Sequence, residues 1–415
     1  MRLTDEEKRM LDGKNGKAVA MAMTILSKLG ELYGAEELMP ISQVHLDGCS
    51  FKAVGEAGLE FTEKMVDYGG KVCVPATTNP ISRDMKRWRE FRIPPAFAEK
   101  SRRLEDACMR LGAVPTWTCA PYLYGIVPRF GQQIAWAESN AINFVNSVIG
   151  ARTARYGDFA DICAAVTGRV PKFSLHLTEN RRGEVLLKIK NPRLFDFNDD
   201  STYPLIGYIV GDMAQGRIPV IEGMPESTTP DHLKGLSAAA ASSGNVALFH
   251  ILGITPEAFT YEAAFHGKQP LLIQEISEEE ILKARQSLNT GEGGQVDLVI
   301  IGCPHASYSE VEKLVQIMNG KKIRKGVEFW VQTNRTVHRW LEQTGLLDAL
   351  SSSGVKVLED TCVLNWALDN WQFRLLVTNS GKFAHYAPGI MGSRVVFGGI
   401  EKCVEAAVTG EVRRA

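Results

Sequence analysis

Apolar residues return every three or four positions from Lys17 to Tyr33, the spacing of one buried helix face. Ahead of them, Thr4 with Glu7 three residues later forms the capping box that opens a shorter helix. The pattern then changes to short apolar runs that end at or beside Gly, Pro, Asn or another polar residue. Those at 71–75, 113–119, 172–177, 185–189, 205–211 and 246–252 predict strands between helical segments. From 296 the alternation is regular, with strands at 296–302, 328–332 and 355–358 and helices at 308–319 and 337–350, a βαβαβ unit; a further strand follows at 373–377. Strands as continuously apolar as Val-Asp-Leu-Val-Ile-Ile-Gly suit a parallel sheet covered on both faces. The fold class is therefore α/β, a multidomain arrangement with doubly wound parallel sheets. A polar stretch at 191–203 and a Gly-rich one at 287–295 divide it into an N-terminal α/β domain (1–190), a middle α/β domain (191–290) and a C-terminal α/β domain (291–415), whose segments can interleave.

Composition then removes several function classes. Apolar residues make up 45% and charged residues 23% of the 415, which is ordinary for a folded globular protein and too apolar for a disordered one. Lys plus Arg is 47 against 48 for Asp plus Glu, so no overall field attracts a polyanion or an anionic membrane, and a small molecule is a better partner than nucleic acid. The charged N-terminus does not read as a signal peptide, and no run reaches the roughly 18 apolar residues of a membrane span. A cytoplasmic location is expected. Eight cysteines without a C-x-x-C make neither a disulfide framework nor a zinc ribbon.

Three of those cysteines occupy equivalent places. Cys119, Cys303 and Cys362 each close a predicted strand, and the carboxyl edge of an open α/β sheet is where ligands bind. Converging thiolates suggest a metal or an iron–sulfur cluster, and three in place of four would leave one iron open as a Lewis acid. Packing is the equal alternative for the trio and the favoured reading for the other five cysteines. His45 and Asp47 stand two apart, on one face if they share a strand, suited to proton relay or to a turn. Thr77, Thr78 and Asn79 follow a predicted strand and could hold a substrate carboxylate or close a turn. Glu138, Ser139, Asn140, Asn143, Asn146 and Ser147 crowd polar groups into an apolar helix, which favours a polar cavity over helix ties. Arg152 and Arg155 could grip a carboxylate, and Ser380-Gly381-Lys382 forms a Gly-Lys turn that could bind an anion without being a Walker A loop.

Cys119, Trp136-Ala-Glu-Ser-Asn, Gly150-Ala-Arg-Thr, Gly302-Cys-Pro-His-Ala-Ser307, Asp360-Thr-Cys362 and Thr378-Asn-Ser-Gly-Lys382, in that order and nearly end to end, resemble the large or catalytic subunit of aconitase X. The resemblance implies an aconitase-like arrangement of α/β domains and a hydro-lyase with an iron–sulfur cluster of unspecified nuclearity on Cys119, Cys303 and Cys362. Catalytic roles then fall to His45, Asp47 and Glu138, and substrate binding to Thr77, Thr78, Asn79, Ser139, Asn140, Arg152, Ser380 and Lys382. Family members dehydrate cis-3-hydroxy-L-proline or mevalonate 5-phosphate. His45-x-Asp47-Gly48, the run Ala151–Tyr156 leading into Asp161-Ile-Cys-Ala-Ala, and His385-Tyr-Ala-Pro-Gly389 are similar to the hydroxyproline branch, although Ala154 stands where the family usually has Asn. With the chain ending at 415, the resemblance further implies a separate small swivel-domain subunit that supplies the catalytic serine. The alternatives are a mevalonate 5-phosphate dehydratase large subunit and, from another class, an iron-sensing RNA-binding aconitase relative.

Overall fold

The computed structural model describes residues 1–123, 125–368 and 371–413. Three parallel sheets organise them. The first has Val44–Leu46 at its centre, flanked by Ala76–Thr78 and Ala135–Trp136. The second runs in the order His250–Ile251, Pro219–Glu222, Val185–Lys188, Leu272–Glu275. The third runs Lys356–Glu359, Glu328–Thr333, Leu298–Ile301, Leu375–Thr378, Arg394–Phe397, all parallel. In sequence order that is 3-2-1-4-5, so the winding reverses between Leu298–Ile301 and Leu375–Thr378, which is where a doubly wound sheet opens a ligand crevice.

The continuous apolar run of 298–301 is explained by burial on both faces. Leu298 and Ile300 join a core with Trp330, Leu358 and Phe383, while Val299 and Ile301 join another with Val311, Leu314 and Val404. Thr4 and Glu7 form the expected capping box on Asp5–Leu11, and Lys17–Leu32 is the expected long helix. Tyr308–Met318 is likewise helical, with a capping box of Ser307 and Glu310.

Several predicted strands fail for identifiable reasons. Residues 205–211 lie inside the helix Thr202–Ala214, which is buried nearly all round; an apolar run without a polar face carries no period to separate helix from strand. That helix crosses Pro230–Gly244 closely enough that a Cβ on Gly207 would lie 2.2 Å from the Leu236 carbonyl oxygen. The stretch 172–177 forms a 3₁₀ turn, Ser174–His176. Residues 71–75 are irregular and the strand begins only at Ala76. Residues 113–119 run beside Ala76–Thr78 but make a single bridge, from Val114, because Trp117 takes a left-handed φ of 42° that breaks the ladder. Only His250–Ile251 of 246–252 is strand, and the helix predicted over 337–350 is two, Arg335–Gln343 and Leu346–Ser353, parted at Gly345. No helix among the described residues is long and apolar enough to cross a membrane.

Candidate active site

The carboxyl ends of the first and third sheets supply most of the residues singled out in the sequence. Asp47, Asn79 and Glu138 follow the three adjacent strands of the first sheet. Cys303 and Ser380 follow the two strands between which the third sheet reverses, and the Ser380 hydroxyl donates to the Cys303 carbonyl. Cys362 follows Lys356–Glu359, whereas Cys119 sits in the irregular segment and not at a strand end as predicted.

Glu138 is the most connected group. It caps Ser139–Phe144 by accepting from the Ala141 N–H at 2.7 Å, accepts from Asn140 Nδ2 at 2.5 Å, and pairs with Lys382 Nζ at 2.5 Å. Asn140 also donates to the Cys119 carbonyl at 2.6 Å and accepts from the Tyr122 hydroxyl at 2.6 Å. Ser139 Oγ lies 3.5 Å from Lys382 Nζ. Lys382 stands in the first turn of the helix Gly381–Met391, capped by Ser380, and not in a turn as the sequence suggested. A cation there opposes the helix dipole. Burial also disfavours its charge, yet Glu138, Cys303 and Cys119 overcome that and hold the ammonium more firmly protonated than usual.

His45 is wholly buried, with Nδ1 2.8 Å from Thr77 Oγ1. Burial drives its pKa down to about 4 against the opposing pull of Glu138, so the ring is neutral. Its Nε2 and the Asn79 Oδ1 are buried without hydrogen-bond partners. Asn79 Nδ2 donates to Asp47. Burial, then Glu138 and Asp158, push the Asp47 carboxyl up to about 8, with Lys382 and Asn79 pulling the other way. The backbone N–H of Asp47 donates to Asp161 Oδ2 at 2.7 Å, a contact across 114 residues that no local pattern announces.

The structure does not bring every candidate to this place. Thr78 spends its hydroxyl on the Val114 carbonyl and the Trp117 N–H. Arg152 is held by Thr178 Oγ1 at 2.6 Å and shows no tie to the thiols or to Glu138. Arg155, bonded to the Asn245 carbonyl at 2.8 Å, is the arginine whose charge feels Glu138. Asn143, Asn146 and Ser147 are helix ties and not a cavity lining: they bond Val246, Thr153, Ala247 and Phe249 backbone groups.

Cys119, Cys303 and Cys362 are free, partly exposed thiols whose charges act on one another. Desolvation raises all three, Cys303 to about 12. Each nevertheless faces a group that can stabilise a thiolate: the His305 N–H at 3.3 Å from Cys119 Sγ, the Leu364 N–H at Cys362, and at Cys303 the Ser380 hydroxyl, which must turn from the Cys303 carbonyl to donate to the sulfur, with Lys382 acting on all three. Among the described residues no group of three or more His, Cys, Asp or Glu is placed to hold a single metal ion. A cavity of about 600 Å³ is lined by Asp231, Ser307, Glu310, Trp340 and Asn379, the last being the chain neighbour of Ser380; the thiols, Glu138 and Lys382 are not in its lining.

The aconitase X first, second and third domain profiles match residues 1–179, 183–286 and 296–409. The chain belongs to the aconitase X family. It is 41% identical to cis-3-hydroxy-L-proline dehydratase of Pseudomonas aeruginosa over 99% of this chain and 70% of that protein. It is 36% identical to the phosphomevalonate dehydratase large subunit of Methanocaldococcus jannaschii over 98% of this chain and all of that one. The crystal structure of Thermococcus kodakaraensis aconitase X in its holo form superposes with a TM-score of 0.88 at 32% identity, covering 98% of this chain and 100% of that one. The family resemblance and the α/β class read from the sequence are thus met, and this aconitase X member is a dehydratase, a hydro-lyase.

Sequence reasoning quoted the motifs that contain Asp161 and His305 but gave those residues no role, and it missed Gln332 altogether. The signals were the place of His305 two residues after Cys303 and the place of Asp161 at the head of Asp161-Ile-Cys-Ala-Ala; Gln332 carried none.

Proposed function

We propose that this chain is the large subunit of a dehydratase acting on cis-3-hydroxy-L-proline, with an iron–sulfur cluster on Cys119, Cys303 and Cys362 and with a separate small subunit. The donor set fits such a group: three free thiols whose charges act on one another, each facing an N–H or hydroxyl and all under the influence of the Lys382 ammonium. When bound, the cluster supplies a Lewis acid for the leaving hydroxyl. The chain's own residues bind the substrate and handle its protons. Dehydration takes a proton from the carbon beside the carboxylate and the hydroxyl from the next carbon, releasing water. Asp47, kept protonated to about pH 8, can give its proton to that hydroxyl. Lys382 and Ser139 offer donors to the carboxylate, while Asn79 Oδ1 and His45 Nε2, buried and without well-formed hydrogen bonds, offer acceptors to the ring ammonium.

The observation that carries the substrate is charge. Glu138 and Asp158 each help to keep Asp47 protonated, the mark of a negative potential at the site, and the ammonium there, Lys382, is already paired with Glu138. Such a site suits a ring ammonium and opposes a doubly charged phosphate ester, which needs several converging cations. The second reading, mevalonate 5-phosphate, draws support from relatives named large subunit that the chain matches over their full length. Mixing the chain with its small subunit and following both substrates side by side tests the choice: hydroxyproline should be consumed, and turnover of mevalonate 5-phosphate alone would reverse it.

A further inference from the structure

The three cysteines come from distant parts of the chain, and one residue touches all three segments. His305 lies two residues after Cys303, and its main-chain N–H donates to Cys119 Sγ at 3.3 Å. Its ring Nε2 lies 3.0 Å from the carbonyl oxygen of Thr361, the neighbour of Cys362. A carbonyl only accepts, so Nε2 carries the hydrogen, and the buried Nδ1 is left as an acceptor without a hydrogen-bond partner. The ring is 1% exposed, so water does not compete for these bonds. The His305 carbonyl in turn accepts from Lys234 Nζ at 3.2 Å. Gln332 does half of this work: its Nε2 donates to the Gly302 carbonyl at 3.3 Å and its Oε1 accepts from the Val363 N–H at 2.6 Å, linking the Cys303 and Cys362 segments but not Cys119.

We propose that His305 is a positioning residue that sets the spacing of Cys119, Cys303 and Cys362 for the cluster, an inference that rests on the cluster reading above. The physical basis is rigidity. A backbone N–H and a ring N–H on one residue stand a nearly fixed distance apart, so bonding a sulfur with one and the carbonyl next to Cys362 with the other fixes the two segments relative to Cys303. Without the ring bond, the 361–362 turn keeps its contacts to Ile81 and the Gln332 link to the Cys303 loop, but nothing then fixes it relative to the His305 N–H that holds Cys119. Loss of such outer-sphere partners lowers metal affinity about 10- to 100-fold.

The test uses the full chain, loaded anaerobically with ferrous iron and sulfide, and reads iron and sulfide per chain and the rate of iron loss to a chelator. His305→Gln places an amide N–H where Nε2 stood and should behave as wild type. His305→Phe keeps the ring shape without the donor and should lose iron about 10- to 100-fold faster. His305→Asn, polar but too short to reach Thr361, gives the same answer if the Phe variant does not fold, and thermal melting of the metal-free chains decides which is used. Cys303→Ala should hold no cluster and Cys163→Ala should hold it fully. A His305→Phe or His305→Asn chain with wild-type stoichiometry and release rate overturns the assignment. A wild-type chain that holds no more iron than Cys303→Ala overturns the cluster reading itself, and the assignment with it.

Discussion

Lys382 and Glu138 face each other at 2.5 Å with side chains only 15% and 6% exposed, so neither charge is solvated well enough to stand alone. Replacing Lys382 with Met leaves a buried carboxylate uncompensated, which costs about 3–5 kcal/mol, whereas adding Glu138→Gln should restore part of that loss. Urea denaturation of the two variants measures it, and equal stabilities would contradict the pairing. Asp47 gives a prediction with a definite sign. Its carboxyl titrates near 3.8 when unfolded and about 8 when folded, so both states hold the proton in acid. As pH rises between those values the unfolded chain releases it while the folded chain keeps it, and the advantage to folding is lost through about pH 8. The stability of wild type relative to Asp47→Asn should therefore fall steadily from pH 4 to 8; melting curves of the metal-free proteins that stay parallel across that range would refute the shift. At this scale the residue types were legible and their partners were not. Glu138 was visible as a polar anomaly in an apolar helix, but its pairing with Lys382 spans 244 residues and nothing local announces it. Arg152 and Arg155 look alike in sequence, and only the fold turns one toward Thr178 and the other toward the Asn245 end of Pro230–Gly244.

Helices position the site as much as strand ends do. Pro230–Gly244 packs against Thr202–Ala214 on one side and Ser139–Phe144, the helix capped by Glu138, on another, and it also meets Gly381–Met391, the helix that carries Lys382 in its first turn. A Cβ on Gly207 would fall 2.2 Å from the Leu236 oxygen and 2.8 Å from its Cα, backbone atoms that move only if the helices part. Gly207→Ala should cost about 1–3 kcal/mol, read as a lowered melting temperature. A fully stable variant would show that the crossing is looser than this. The same pair explains what sequence patterning could reach. The parallel strands 298–301 and 328–333 declare themselves because both faces are buried and their helices are amphipathic. Thr202–Ala214 does not, since Tyr203, Leu205, Ile206, Ile209 and Val210 are all buried and the run is equally apolar on every side. The segment through Cys119 is hidden for a different reason: it borders a strand, and Trp117 alone, at a positive φ, turns it away.

For the whole molecule, the question is where the proton taken from carbon goes. His45 is neutral but, with its pKa about 4, too weak a base at neutral pH to keep such a proton. Asp47 is already protonated and Glu138 is committed to Lys382, Asn140 and the Ala141 N–H. Asp161 is spent on the backbone of residues 47 and 162. These groups at the candidate site can therefore give a proton and orient a substrate, but none is a free strong base. A further protein domain brought to the sheet edges that carry the site would supply that base. The relatives named large subunit point the same way, because the name presupposes a smaller partner. The expected outcome is a chain that folds cooperatively by itself, binds substrate and shows no turnover until the small subunit is added, when activity rises to saturation at one partner per chain. Titrating the partner against a fixed amount of chain, with dehydration followed continuously, measures this. Full-rate dehydration by the chain alone would mean that one of its own groups is the base, and His45, with its unpartnered Nε2, would then be the first to replace.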